Sequence, residues 1–197
     1  MPTRGAVEHV VIDATGLKVY GEGEWKTRKQ DKNKWRIWRK LHLAVDVSTH
    51  EVIAEEISLV SVGDNEVLAT LLNSLRRKTQ QVSADGANDT RACHPVLKKK
   101  RITPSIPPRS NAGYWEEGHP RNEAVKVLKE DKQAEWKKDR AYHKQLLAET
   151  AMFRYKQLLR TKLILRYYNA QVSKWLANMK AMNKIIRLAM FVRQQTN

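Results

Sequence analysis

Three carboxylates in this chain occupy positions where an acid can do more than solubilise a surface. Asp13 ends the β-branched run His9-Val10-Val11-Ile12, Asp85 follows Gln81-Val82-Ser83-Ala84 at the mouth of a glycine-containing loop, and Glu149 lies in the helical stretch 142–156. At about 100° per residue, Tyr142, Gln145, Glu149 and Lys156 share one stripe of a helix, with Leu147, Ala151 and Leu158 on the opposite face. Taken singly, each acid reads as a turn residue or a solvated charge. Together they read differently. Three convergent carboxylates repel one another unless cations stand between them, and hard oxygen donors select Mg²⁺ or Mn²⁺. Two such ions about 3.5–4 Å apart perform in-line phosphoryl transfer, one activating a water or a 3′-hydroxyl and the other stabilising the leaving oxygen.

Convergence requires elements that bring distant segments together. The run ending in Asp13 predicts a strand that delivers its aspartate at the end. Residues 41–46 and 51–59 predict two more strands joined by a turn at 47–50, which completes an antiparallel meander. Asp46 is a rival acid, but its place at the hairpin suits a turn-forming role. Capping groups at 61–65, followed by Val67, Leu68, Leu71, Leu72 and Leu75, predict a helix covering one face of the sheet. A brief strand then leads to Asp85, and 95–101 reads as a short basic helix. Prolines limit 102–106 to an edge strand. Residues 111–121 read as an irregular loop, followed by a helical region from Asn122 to about Leu159, broken near Asp139. In the last segment Val172, Trp175, Leu176, Met179, Met182 and Ile186 recur at helical spacing and predict a core stripe. A mixed sheet flanked by helices can set the ends of its first and fourth strands side by side and lay Glu149 against them.

Composition narrows the substrate. Of 197 residues, 37 are Lys or Arg and 21 Asp or Glu, a net charge of +16 that points to a polyanion, first of all nucleic acid. Tryptophans interleaved with cations in residues 21–40 suit stacking beside phosphates. Lys18, Trp25, Lys26, Arg28, Arg39 and Lys40 are the DNA-contact candidates. The single cysteine, Cys93, excludes an internal disulfide and a cysteine-built zinc site. There is no glycine-rich phosphate loop, and His143 has no nucleophile and orienting partner in sequence. No apolar run reaches the ~20 residues of a membrane span, and the first residues lack a signal-peptide core. A single domain in a bacterial cytoplasm is the expectation.

Four ordered motifs then carry a resemblance: residues 13–25 beginning Asp13-Ala14-Thr15-Gly16, residues 38–46 ending Ala44-Val45-Asp46, Asp85-Gly86-Ala87-Asn88-Asp89-Thr90, and 142–156. The chain closely resembles bacterial insertion-sequence transposases of the aspartate-aspartate-glutamate (DDE) class, specifically the insertion sequence 5 family, over essentially its whole length. The resemblance implies an α/β, ribonuclease-H-like mixed five-stranded sheet flanked by helices over 1–197, with an insert or loop region at about 110–138 and a C-terminal helix at about 169–190. It implies Asp13, Asp85 and Glu149 as the catalytic, metal-binding triad, with two Mg²⁺ ions that Mn²⁺ can replace. The implied activity is cleavage at terminal inverted repeats and joining of 3′ ends to target DNA. The implied agent is a nucleoid-associated homo-oligomer without membrane attachment. The signature around the glutamate is Tyr, two residues, Arg, three residues, Glu, six residues, Lys. Tyr142, Glu149 and Lys156 match it, whereas Gln145 replaces the arginine and removes a fixed charge and its forked donors. Lys144, next door, points about 100° away on a helix. Relatives usually carry an N-terminal recognition region of helix-turn-helix character, and only a dozen residues precede Asp13 here. The expectation is therefore a chain lacking that domain. Two functional readings follow: a transposase catalytic core, or an impaired, truncated form acting as a DNA-binding or oligomerising regulator.

Overall fold

The computed structural model describes residues 5–18, 38–159 and 168–194. Strands β1 (Val7–Lys18), β2 (Trp38–Asp46), β3 (Val52–Leu59), β4 (Thr79–Ser83) and β5 (Thr103–Ser105) form one sheet in the order β3-β2-β1-β4-β5. The first three are antiparallel neighbours, and β4 and β5 run parallel to β1. Parallel pairing needs crossovers, which α1 (Asp64–Ser74) supplies between β3 and β4 and α2 (Cys93–Lys99) between β4 and β5. Beyond β5 come α3 (Arg121–Lys129), α4 (Gln133–Asp139), a 3₁₀ turn (Tyr142–Gln145), α5 (Leu146–Leu159) and α6 (Tyr168–Gln194). This is the expected α/β mixed sheet flanked by helices. No helix among the described residues is long and apolar enough to cross a membrane.

Alternation along each strand makes two cores. On one face Val11, Leu17, Leu41, Leu43 and Val45 pack against Ala148, Ala151, Met152 and Tyr155 of α5 and Trp175, Met179 and Met182 of α6. On the other, Val10, Ile12, Ala44 and Val82 pack against Leu68, Leu71 and Leu72 of α1 and Leu97 of α2. Of the expected stripe of the last helix, Val172, Trp175, Met179, Met182 and Ile186 pack into the first of these cores, with Trp175 stacked on Tyr155 at 5.1 Å between ring centroids, whereas Leu176 turns to solvent.

Two expectations need correcting. Asp13 does not end a strand: β1 continues five residues past it, because β2 pairs with β1 as far as Lys18. What ends near Asp13 is the parallel ladder with β4, whose last pair is Val11 with Ser83. Nor is 142–156 one continuous helix. The 3₁₀ turn precedes α5, and Ala141, at the N-terminal cap of that turn, sits in the left-handed region at φ 51°. That backbone turn redirects the chain from α4 towards the sheet. The helical region expected from Asn122 is present as α3 and α4, ahead of that turn.

Candidate active site

Parallel register sets the first two acids level with each other. Asp13 and Asp85 each lie two residues beyond the Val11–Ser83 pair, the first on β1 and the second where β4 gives way to a 3₁₀ turn at Gly86–Asn88. α5 then brings Glu149 in its first turn, where helix N-termini favour a negative charge. The three are near enough to act on one another. Burial is the largest influence on Asp13 and pushes its pKa up; the Ala14 N–H opposes this, while the charges of Asp85, Glu149 and, least, Asp64 push it further up.

Tyr142 reports the same convergence from the 3₁₀ turn. Burial and then the charges of Asp85, Asp13 and Glu149 raise its pKa, so the phenol stays protonated at neutral pH. Gln145 holds this turn on β1, its Nε2 donating to the Ile12 carbonyl at 2.6 Å, one residue before Asp13. Its other amide atom, Oε1, is buried with no hydrogen-bond partner. Lys156 donates from Nζ to Thr15 Oγ1 at 2.9 Å, two residues past Asp13 on the same face of β1. Lys144 acts elsewhere: after burial, its charge is the next influence that lowers the pKa of His9, to about 4.

Among the described residues, none of Asp13, Asp85 and Glu149 is in an ion pair. Asp13 Oδ1 accepts only the N–H of its neighbour Ala14, at 2.7 Å, and Asp85 Oδ1 accepts from Asn88 Nδ2 at 2.7 Å. Nor do the described residues present a ready-made cage of three acidic, histidine or cysteine ligands. The donor chemistry nonetheless fits a divalent cation: oxygen donors only, like charges that add to burial in raising the Asp13 pKa, and no described ion pair opposing them.

The loop carrying Asp85 is clamped from two sides. Arg109 Nε donates to the Gly86 carbonyl at 3.1 Å and Nη2 to that of Ala87 at 3.3 Å. A Cβ on Gly86 would come within 3.2 Å of the Pro107 carbonyl, so a side chain there would push the two segments apart. Four residues past Asp85, the buried Asp89 carboxylate takes a bidentate bond from Arg121 Nε at 2.5 Å and Nη2 at 2.6 Å, with His94 Nε2 at 3.1 Å. Trp115 caps the cluster, with the Arg121 guanidinium 4.2 Å above its ring. Sequence reasoning misses Asn88, Asp89, Arg109 and Arg121. Asn88 and Asp89 lie within a motif in which Asp85 alone draws attention, and an amide three residues after an acid is the available signal. The arginines come from far along the chain and give none.

The DNA-contact candidates divide. Trp25, Lys26 and Arg28 lie outside the described residues, and Lys18 is described only as backbone paired with Trp38. Lys40 is engaged with Asp64 at 2.9 Å and with the Val62 carbonyl at 3.2 Å. Arg39, on the other face of β2, lies 5.7 Å from the Tyr168 ring centroid.

Comparison with known proteins matches residues 5–184 to the transposase DDE domain. A solved piggyBac transposase, in a synaptic complex with hairpin DNA, superposes with a TM-score of 0.52 at 11% identity over 96% of this chain. This chain corresponds to 48% of that one, about half its length. The catalytic core domain of BIV integrase matches over 68% of this chain and 74% of that chain, at 13% identity and a TM-score of 0.34. At 11% identity the likeness to the piggyBac transposase is one of fold, a mixed five-stranded sheet flanked by helices.

Proposed function

The chain belongs to the DDE transposase family, and from that premise we propose that Asp13, Asp85 and Glu149 form the catalytic centre of a DNA-cleaving and strand-joining enzyme. The observation that carries the reading is the convergence of three carboxylates from β1, the loop after β4 and α5, in which Asp85 and Glu149 add to burial in raising the Asp13 pKa and no described ion pair answers the three charges. These side chains would hold two divalent ions, Mg²⁺ in the cell with Mn²⁺ as substitute. When bound, such ions lower the pKa of a water or hydroxyl and stabilise the leaving oxygen.

The chain's own residues account for the rest. Asp13 is fixed by a strand buried on both faces, and Asp85 by Asn88 and the Arg109 clamp. Lys156, held at Thr15 beside the acids, supplies a cation for the DNA backbone next to the scissile phosphate. Tyr142, kept neutral, offers a hydroxyl donor on the same side. The spacing Tyr142, Gln145, Glu149, Lys156 supports the insertion sequence 5 group, and the +16 charge supports DNA as substrate, both terminal repeats and target. Oligomerisation on DNA belongs to the same reading.

The test is strand transfer of a labelled, pre-cut 3′-OH end into plasmid with Mn²⁺, comparing the native chain with Glu149→Gln. Product from the native chain, lost by a factor of about 10³ or more in the variant, is expected for a group required in the transition state. Equal product from both would remove Glu149 from the site. A second reading rests on Gln145, where a guanidinium is expected and a neutral amide with an unpartnered Oε1 stands. On that reading the chain is a weak enzyme that regulates through DNA binding or assembly. It predicts no product from either protein with DNA binding retained, and a gain on Gln145→Arg, which can keep the Ile12 bond while restoring the charge.

A further inference from the structure

The opposite end of the sheet from the acids carries a second built feature. α1 ends and β4 begins there, α2 ends and β5 begins there, and the two connections enclose a cleft of about 220 Å³ lined by Arg76, Arg77, Lys78, Thr79 and Lys100. No acidic side chain lines it. Arg77 is matched by the buried Asp46 carboxylate at 3.3 Å. Among the described residues Arg76, Lys78 and Lys100 have no carboxylate partner.

Thr79 adds an independent observation. It is 4% exposed, it lines the cleft, and its Oγ1 has no hydrogen-bond partner. A buried hydroxyl left unpaired costs about 1–3 kcal/mol, and here it lies beneath four cations and the apolar Leu72, Leu75 and Ile102 in a cleft without an acid, a polar lining suited to an anion. A phosphodiester presents singly charged oxygens, the partners that lysines and arginines take.

We propose that this cleft is a phosphate-binding site for the backbone of duplex DNA, separate from the catalytic end. Six residues of extended chain from Thr79 to Asp85 put about 20 Å between the two. A phosphate held here therefore belongs to a different part of the DNA from the one being cut, and the cleft positions the duplex without reading its sequence. The inference rests on DNA being the substrate, as proposed above, but not on the triad being active.

The experiment is fluorescence anisotropy of a labelled duplex of roughly 30 base pairs, titrated with the full chain across a salt series. Arg76→Glu, Lys78→Glu and Lys100→Glu are made together. A control carries the same charge change outside the cleft, on α3, α4 and the link between them, Lys126→Glu, Lys132→Glu and Lys138→Glu. If the site binds phosphate, the slope of log K against log salt falls by about 2–3 in the first variant, at ~0.9 for each phosphate no longer neutralised, and affinity at about 50 mM salt drops tenfold or more. The control keeps a slope close to native. Equal losses in both triple variants, or a native slope in the first, overturn the site. Inorganic phosphate that binds the native chain but not the first triple variant, with no change in duplex affinity, assigns the cleft to small anions and overturns the DNA proposal. Native chain that binds no duplex removes this proposal, whereas loss of strand transfer with binding intact bears only on the catalytic reading.

Discussion

Asp85 and Asp89 lie four residues apart in one loop after β4, and their surroundings differ in kind. Burial pushes the Asp89 carboxyl up, but the hydrogen bonds from His94 and Arg121, with their charges, outweigh it and hold the pKa below the usual carboxylate range. Asp89 is thus ionised, paired and closed off. Asp85 receives one amide from Asn88, acts through its charge on Asp13 and Tyr142, and has no described ion pair. One acid has its charge answered within the fold. The other leaves its charge unanswered by the described residues, as the proposed metal site requires, and the first holds the loop in place for the second.

The largest effect should come from breaking the matched pair. Asp89→Ala or Arg121→Ala leaves a buried charge alone, and each is expected to cost about 3–5 kcal/mol, lowering the melting temperature by roughly 10 °C or more. The double variant should cost less than the sum; strict additivity in thermal melts would show that the pair is not a unit.

Acid titration comes next, through two histidines buried neutral. His9, against Ser83 at 2.8 Å, and His42, against Ser58 at 2.9 Å, have pKa values lowered to about 4, chiefly by burial. The unfolded chain protonates them near 6.5, so stability is full above that pH and falls as pH drops towards 4, at up to about 1.4 kcal/mol per unit for each. Denaturant midpoints measured from pH 7 to 4 should show this slope, and His9→Gln should reduce it.

Asp85→Asn should move stability the other way from Asp89→Ala. Removing one of several like charges is expected to raise the melting temperature by roughly a degree or two in chelator, while abolishing any gain on adding Mn²⁺. An unchanged Mn²⁺ response would place the ions elsewhere. An effect of similar size lies in the backbone. Ala141→Gly relieves a left-handed residue and should stabilise by about 0.5–1 kcal/mol, since the relieved strain exceeds the added chain entropy. Strand-transfer rates of that variant would show whether the turn ahead of Tyr142 must be held rigid.

Much of the architecture is legible in the sequence because it rests on local periodicity. The hairpin at Asp46, whose Oδ1 accepts from the Ser48 N–H at 2.9 Å, follows from turn chemistry. The α1 stripe of Val67, Leu68, Leu71 and Leu72 follows from helical spacing, and all four are buried. The boundary at Asp13 is not legible, because a strand's length depends on its neighbours. β2 keeps pairing where β4 stops, and nothing within 9–13 says so. The break within 142–156 is hidden for another reason: one stripe of polar residues cannot reveal a left-handed residue just ahead of it.

By itself, then, the sequence determined residue types and their local order: which segments alternate, which repeat at helical spacing, where acids meet loops, and a strong positive charge. These are properties of a few adjacent residues and need no third dimension. The tertiary structure decided which charges find partners. Arg121 reaches Asp89 across 32 residues and Gln145 reaches Ile12 across 133, while Asp13 and Asp85 are brought level by parallel register and left unmatched. Coulomb interactions depend on distance through space and on burial, and the fold alone sets both.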